Sequence, residues 1–177
     1  MGKISQQPLL EFPMPANTVY LPLRLLLAAL VCLWLPLVSS AAETLTVHKS
    51  PTCGCCVAWL DQLSDQGYEF TLSHPTDLNT LKANYGIAPA YQSCHTAVSE
   101  QEYVFEGHIP GALIKRFLEE PPPGAIGLAV PGMPLGSPGM EVEDRFSPYQ
   151  VLLLMEDGSS EVYAAVGSRE EQASLGH

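Results

Sequence analysis

Hydrophobic and polar positions alternate over Leu45-Thr46-Val47-His48-Lys49, and the run is rich in β-branched residues, which predicts a strand over 44–49. The period then lengthens. Cys56, Trp59, Leu60 and Leu63 recur at i, i+3, i+4 and i+7, predicting a helix from Cys55 to Gln66 that Gly67 ends and Thr52 could cap. Alternation returns over 68–72, a second strand. A short helix from Asp77 to Tyr85 follows, capped by Thr76 or Asp77 and stopped by Gly86. Thr96-Ala97-Val98 and Tyr103-Val104-Phe105-Glu106 read as the arms of a hairpin, and Ala112 to Glu119 as an amphipathic helix. The order is β-α-β-α-β-β-α. Pro121-Pro122-Pro123-Gly124 closes that unit, and the proline- and glycine-rich stretch from Gly127 to Met140 reads as irregular chain. Tyr149 to Met155 and Ser160 to Val166 form a last hairpin around Asp157-Gly158, and the residues from Gly167 read as a frayed tail.

Ahead of these elements the pattern is different. Leu25 to Val38 is a fourteen-residue apolar run with Arg24 before it and Ser39-Ser40-Ala41-Ala42 after it. A spanning helix needs about 20 residues, so residues 1–42 read as a cleaved signal peptide for export. The remaining 135 or so residues suit one compact domain, with a first part over 43–122 and a second over 123–177 packed on it. Removing Glu11, Lys3 and Arg24 with the leader leaves 18 acidic against 6 basic residues, a net charge of −12. That excludes the basic surface a nucleic-acid partner requires and suits a soluble mature chain.

Chemistry enters with Cys53-Gly54-Cys55-Cys56, three thiols in four residues at a strand-to-helix junction. Cys53 and Cys56 have the C-x-x-C spacing of a redox pair, and unpaired amides at a helix N-terminus favour thiolates. A redox pair has no use for Cys55. Clustered soft sulfur suits Cu(I), with Zn(II) second. Cys94-His95 forms another element at the start of the third strand, and His108 leads into the helix at 112. Met133 and Met140 lie in the proline-rich loop, where thioethers could serve Cu(I). His48 reads as a strand-face residue, His74 and His177 as surface, and Met155 as core.

The element order resembles a thioredoxin-like domain, with the thiol motif at the start of its first helix and a Met/Pro/Gly loop and β-hairpin as a C-terminal extension. In that arrangement the loop before the third strand packs against the thiol helix, so Cys94 would complete a pocket of four sulfurs beside His95. Four motifs in order, Lys49 to Cys56, Ser93 to Ala97, Glu106 to Pro110, and Gly127 to Pro134 continuing through Gly136 to Glu141, resemble the small exported metal-binding family that includes the CopG-type bacterial copper-resistance proteins. The resemblance implies a periplasmic protein that binds copper ions for copper tolerance through Cys53, Cys55, Cys56 and Cys94, with His95, His108, Met133 and Met140 as further ligands. It implies coupling of bound Cu(I) to redox change, for which Cys53–Cys56 disulfide formation could supply two electrons, and a periplasmic carrier or efflux component is the expected partner. The alternative is a thiol–disulfide oxidoreductase acting on exported proteins, with Cys53 and Cys56 as its catalytic pair.

Overall fold

The computed structural model describes residues 42–175, so the apolar run from Leu25 to Val38 lies outside the described residues. Seven strands form one sheet in the order β2-β1-β3-β4-β5-β6-β7. They are β1 (Thr44–Lys49), β2 (Glu69–Ser73), β3 (His95–Ser99), β4 (Val104–Glu106), β5 (Ala125–Ala129), β6 (Tyr149–Met155) and β7 (Ser160–Val166). Among the described residues four α-helices accompany them: α1 (Gly54–Ser64), α2 (Leu78–Asn84), α3 (Gly111–Glu119) and α4 (Arg169–Ser174). β1 runs parallel to β2 and β4 parallel to β5, and the other neighbours are antiparallel. Among the described residues, no helix is long and apolar enough to cross a membrane.

The period-two pattern sorts side chains onto two faces. On one, Trp59, Leu60 and Leu63 of α1 and Leu113, Ile114 and Phe117 of α3 pack on Leu45, Val47, Ala97, Phe105 and Leu128. Fully burying residues such as Trp59, Phe105 and Phe117 stabilises by about 2–3 kcal/mol each. On the other face a smaller cluster joins Ile87, Val98, Val104, Ala129 and Leu154. Here α2 contributes one fully buried residue, the charged Lys82.

Three local expectations change. Thr52 does not cap α1. Its hydroxyl pairs with that of Ser50 at 3.1 Å, and Cys53 occupies the cap position with no side-chain hydrogen bond. Of the stretch expected to be irregular, 130–140 is so, but Gly127 to Ala129 belong to the strand β5. Gly127 hides it from pattern reading, because its φ of +151° and its approach to Val104 leave no room for a side chain: a Cβ would lie 1.8 Å from the Val104 carbonyl oxygen. β5 thereby bridges β4 and β6, and the sheet continues past residue 122 without a break. The tail forms α4, capped by the Ser168 hydroxyl accepting from the Glu171 N–H at 3.2 Å.

Candidate metal centre

β1 delivers the chain into the turn Ser50–Cys53, closed by the Cys53 N–H donating to the Ser50 carbonyl at 3.1 Å, and α1 begins at Gly54. The three cysteines therefore occupy the cap and first turn of α1. Cys53 and Cys56 are joined as a disulfide with their Cα atoms 5.4 Å apart, while Cys55 and Cys94 are free. Cys94 arrives from the residue before β3, which pairs beside β1. Its Sγ lies 3.5 Å from that of Cys56, and Cys55 Sγ lies 3.5 Å from that of Cys53. All four sulfurs fall within 4.8 Å of one another.

A second ligand group overlaps the first. Cys94 Sγ is 3.3 Å from His95 Nδ1 and 3.0 Å from His108 Nε2, so Cys94 belongs to both groups. His108 Nδ1 lies 2.8 Å from the Pro138 carbonyl oxygen, which can only accept; Nδ1 carries the proton and Nε2 turns its lone pair towards the sulfur. The His95 ring is fully buried, 4.4 Å from the Trp59 ring centroid and 5.1 Å from that of His108, and its Nε2 has no hydrogen-bond partner. Such an orphaned nitrogen is costly unless something fills the gap.

Burial governs the protonation states. It pushes His95 well below the usual histidine range, reinforced by His108, Lys82 and Lys49, and it lowers His108 against the opposing pull of the Pro138 carbonyl and Glu141. Both rings are held neutral, the form that binds metal. Burial, followed by repulsion from Cys55, pushes the Cys94 thiol up to about 12.

The proline-rich loop closes over α1. Gly139 has φ +81°, and a Cβ there would sit 2.6 Å from the Trp59 nitrogen and 2.7 Å from the Cys55 carbonyl oxygen. Only glycine lets the loop rest on the first turns of the thiol helix. The half-buried Met140 follows directly, with its N–H donating to Ser137 at 2.8 Å. Met133 is 54% exposed and lines an open cleft with Pro131, Pro148, Tyr149 and Leu152. The four cysteines, His95 and His108 thus converge, whereas Met133 faces outward. His48 has both ring nitrogens buried without partners, and His74 Nδ1 lies 2.9 Å from the Lys49 carbonyl oxygen.

Sequence reasoning missed the supports. Trp59 Nε1 donates to the Ile109 carbonyl at 2.9 Å and the Tyr68 hydroxyl to the Gly111 carbonyl at 2.8 Å, tying α1 and the chain after it to the turn that carries His108. Glu106, fully buried, accepts from the Ser93 N–H and the Thr96 hydroxyl on either side of Cys94-His95. A carboxylate ending the apolar run Val104-Phe105 was the available signal.

Comparisons with known proteins agree with this arrangement. A family profile described as a protein of unknown function, DUF411, matches residues 91–140, the stretch holding Cys94, His95, His108 and the closing loop. No curated protein matches. Two solved structures of copper resistance protein CopG are similar: form 2 at 38% identity, covering 71% of this chain and 98% of that one, and form 1 at 37%, covering 72% and 99%, each with a TM-score of 0.67. With its cysteine cluster, its mixed α/β sheet and this near-complete coverage of those structures, the chain belongs to the CopG-type copper-resistance family.

Proposed function

We propose that the protein is a periplasmic copper-binding protein of thioredoxin-like type that serves copper tolerance, holding Cu(I) through Cys53, Cys55, Cys56 and Cys94. The observation that carries this reading is the convergence of four sulfurs within 4.8 Å, with two neutral imidazoles reaching one of them. Thiolates and imidazoles suit Cu(I), and a sulfur shared between two ligand groups can bridge more than one ion. His95 and His108 are the nitrogen ligands in this reading. Met140 is the thioether on the closing loop, and Met133 an outward thioether able to meet an incoming ion. Export by the leader at 1–42, and a periplasmic carrier or efflux component that exchanges copper ions with the site, complete it.

The closed disulfide bears on redox coupling. With Cys53 and Cys56 joined, two of the four sulfurs are withdrawn as thiolates. Closing the bond from two thiols releases two electrons and two protons. Those electrons reduce two Cu(II) to two Cu(I), and the reverse reaction opens the bond at the expense of two Cu(I).

Anaerobic Cu(I) titration of the reduced chain from Glu43 onward, against a competing chelator, tests the proposal. The expected result is tight binding of more than one Cu(I) per chain, lost in Cys53→Ser/Cys56→Ser. Failure to compete, or stoichiometry indifferent to those substitutions, overturns it. Zn(II) held in preference to Cu(I) would identify a zinc site instead. The disulfide across the first turn of α1 favours one second reading, a thiol–disulfide oxidoreductase for exported proteins. Dithiothreitol-linked reduction of insulin separates the two, because a copper-binding protein leaves insulin intact.

A further inference from the structure

Behind the sulfur cluster, on the opposite face of the sheet from Trp59 and the His95 ring, lies a buried ion pair with no part in the ligand set. Lys82 Nζ of α2 donates to Glu106 Oε1 of β4, and both residues are almost fully buried. Among the described residues it is the one ion pair. Two charges this deep in a sheet stabilise little over apolar residues of the same shape, so stability alone does not explain them. Their hydrogen bonds are more telling. Glu106 Oε1 also accepts from the Ser93 N–H at 2.5 Å, and Oε2 accepts from the Thr96 hydroxyl at 2.6 Å. Lys82 in turn donates to Thr96 Oγ1 at 3.2 Å. One carboxylate therefore grips the chain immediately before Cys94 and immediately after His95.

The grip extends to the other parts of the centre. The Ser93 hydroxyl donates to the Gly132 carbonyl, and the Gly132 N–H donates to Gln92 at 3.1 Å, fastening the closing loop to the same segment. The Glu106 main-chain carbonyl accepts from the Val130 N–H at 2.9 Å, and the Gly107 N–H, next to His108, donates to the His95 carbonyl at 2.9 Å. Cys94, His95 and His108 are all referred to one rigid hub.

We propose that Glu106 is a positioning residue for Cys94 and His95, acting through Ser93 and Thr96, with Lys82 as the buried countercharge that keeps its carboxylate in place. α2 is then the element that carries this countercharge to the centre. The role in copper binding rests on the reading given above; the positioning of Cys94 does not.

The experiment compares the wild type with Lys82→Met/Glu106→Leu, an apolar replacement that removes both charges together and so spares the fold the cost of a lone one. Two readouts are taken on each. The first is copper-free: the alkylation rate of Cys94 by iodoacetamide in the disulfide-closed protein, followed by peptide mass, with Cys55 as internal reference. The second is Cu(I) affinity of the reduced protein by chelator competition. We expect cooperative melting to persist while Cys94 alkylation accelerates about tenfold relative to Cys55 and Cu(I) affinity falls about tenfold or more, as loss of outer supports does at metal sites. A folded variant with wild-type Cys94 reactivity overturns the proposal. If the wild type binds no Cu(I), the alkylation arm still decides positioning, and only the copper reading fails. Should the double variant not fold, Thr96→Val, which deletes the hydroxyl's hydrogen bonds to Glu106 and Lys82 and leaves both charges, is expected to accelerate Cys94 alkylation about threefold, and an unchanged rate there overturns the proposal equally.

Discussion

Gly139 shows how much of the centre depends on an atom that is absent. Its φ of +81° and the 2.6–2.7 Å approaches to α1 mean that a methyl group must push the loop off Cys55 and Trp59. Gly139→Ala is expected to destabilise the fold by about 2 kcal/mol or more, measured by urea unfolding, and to leave Cys55 more accessible to alkylation. Cys94 carries a prediction of a different kind. Because its thiol is pushed up to about 12, it holds its proton at neutral pH, and a metal must displace that proton to bind. Cu(I) affinity should therefore rise from pH 6 to pH 8, with protons released into a weakly buffered solution; an affinity flat across that range would place Cys94 outside the ligand set. At this scale the sequence singled out cysteines that the fold does bring together, because three thiols in four positions stand out in any chain. It could not show that His108 is oriented by a main-chain carbonyl of Pro138, since any residue supplies that atom and no side-chain pattern announces it.

Elements were legible where one periodicity governed them. β1 and α1 bury a regular face, and their positions follow from it, whereas the β6–β7 hairpin was marked by the Asp157-Gly158 turn between its strands. β5 was lost because Ala-Ile-Gly-Leu-Ala is short, buried nearly throughout and broken by a glycine, which is also how a loop reads. α2 is short and docks through Lys82 rather than an apolar stripe, so its cap was the readable signal. Asp77 Oδ1 accepts from the Thr80 N–H at 3.0 Å, and its Oδ2 from the Thr80 hydroxyl at 2.7 Å. These bonds, the main-chain one foremost, hold the Asp77 carboxyl below its ordinary 3.8. A lowered folded-state value means that its contribution to stability is complete above about pH 4 and is lost as pH falls through the folded value. The wild type should lose melting temperature on acidification below pH 4 more steeply than Asp77→Asn; superimposable acid limbs would show that the cap contributes nothing.

Across the whole molecule, the sheet brings together two parts of the chain that the sequence keeps apart. Cys56 and Cys94 are 38 residues from each other, and the β1–β3 pairing places their sulfurs 3.5 Å apart. The element order implied this meeting through a family resemblance; residue spacing alone had no means of stating it, because strand pairing is a long-range property. A metal ion spanning these sulfurs would act as a removable staple. By analogy with a covalent cross-link, closing a loop of that length removes unfolded-state freedom equivalent to about 4 kcal/mol. The loaded chain should resist thermolysin and melt higher than the same chain treated with chelator, and a Cys94→Ser chain, stapled only within α1, should gain far less. Handing copper to a partner would then loosen the donor, so that a spent molecule becomes the one a protease removes first.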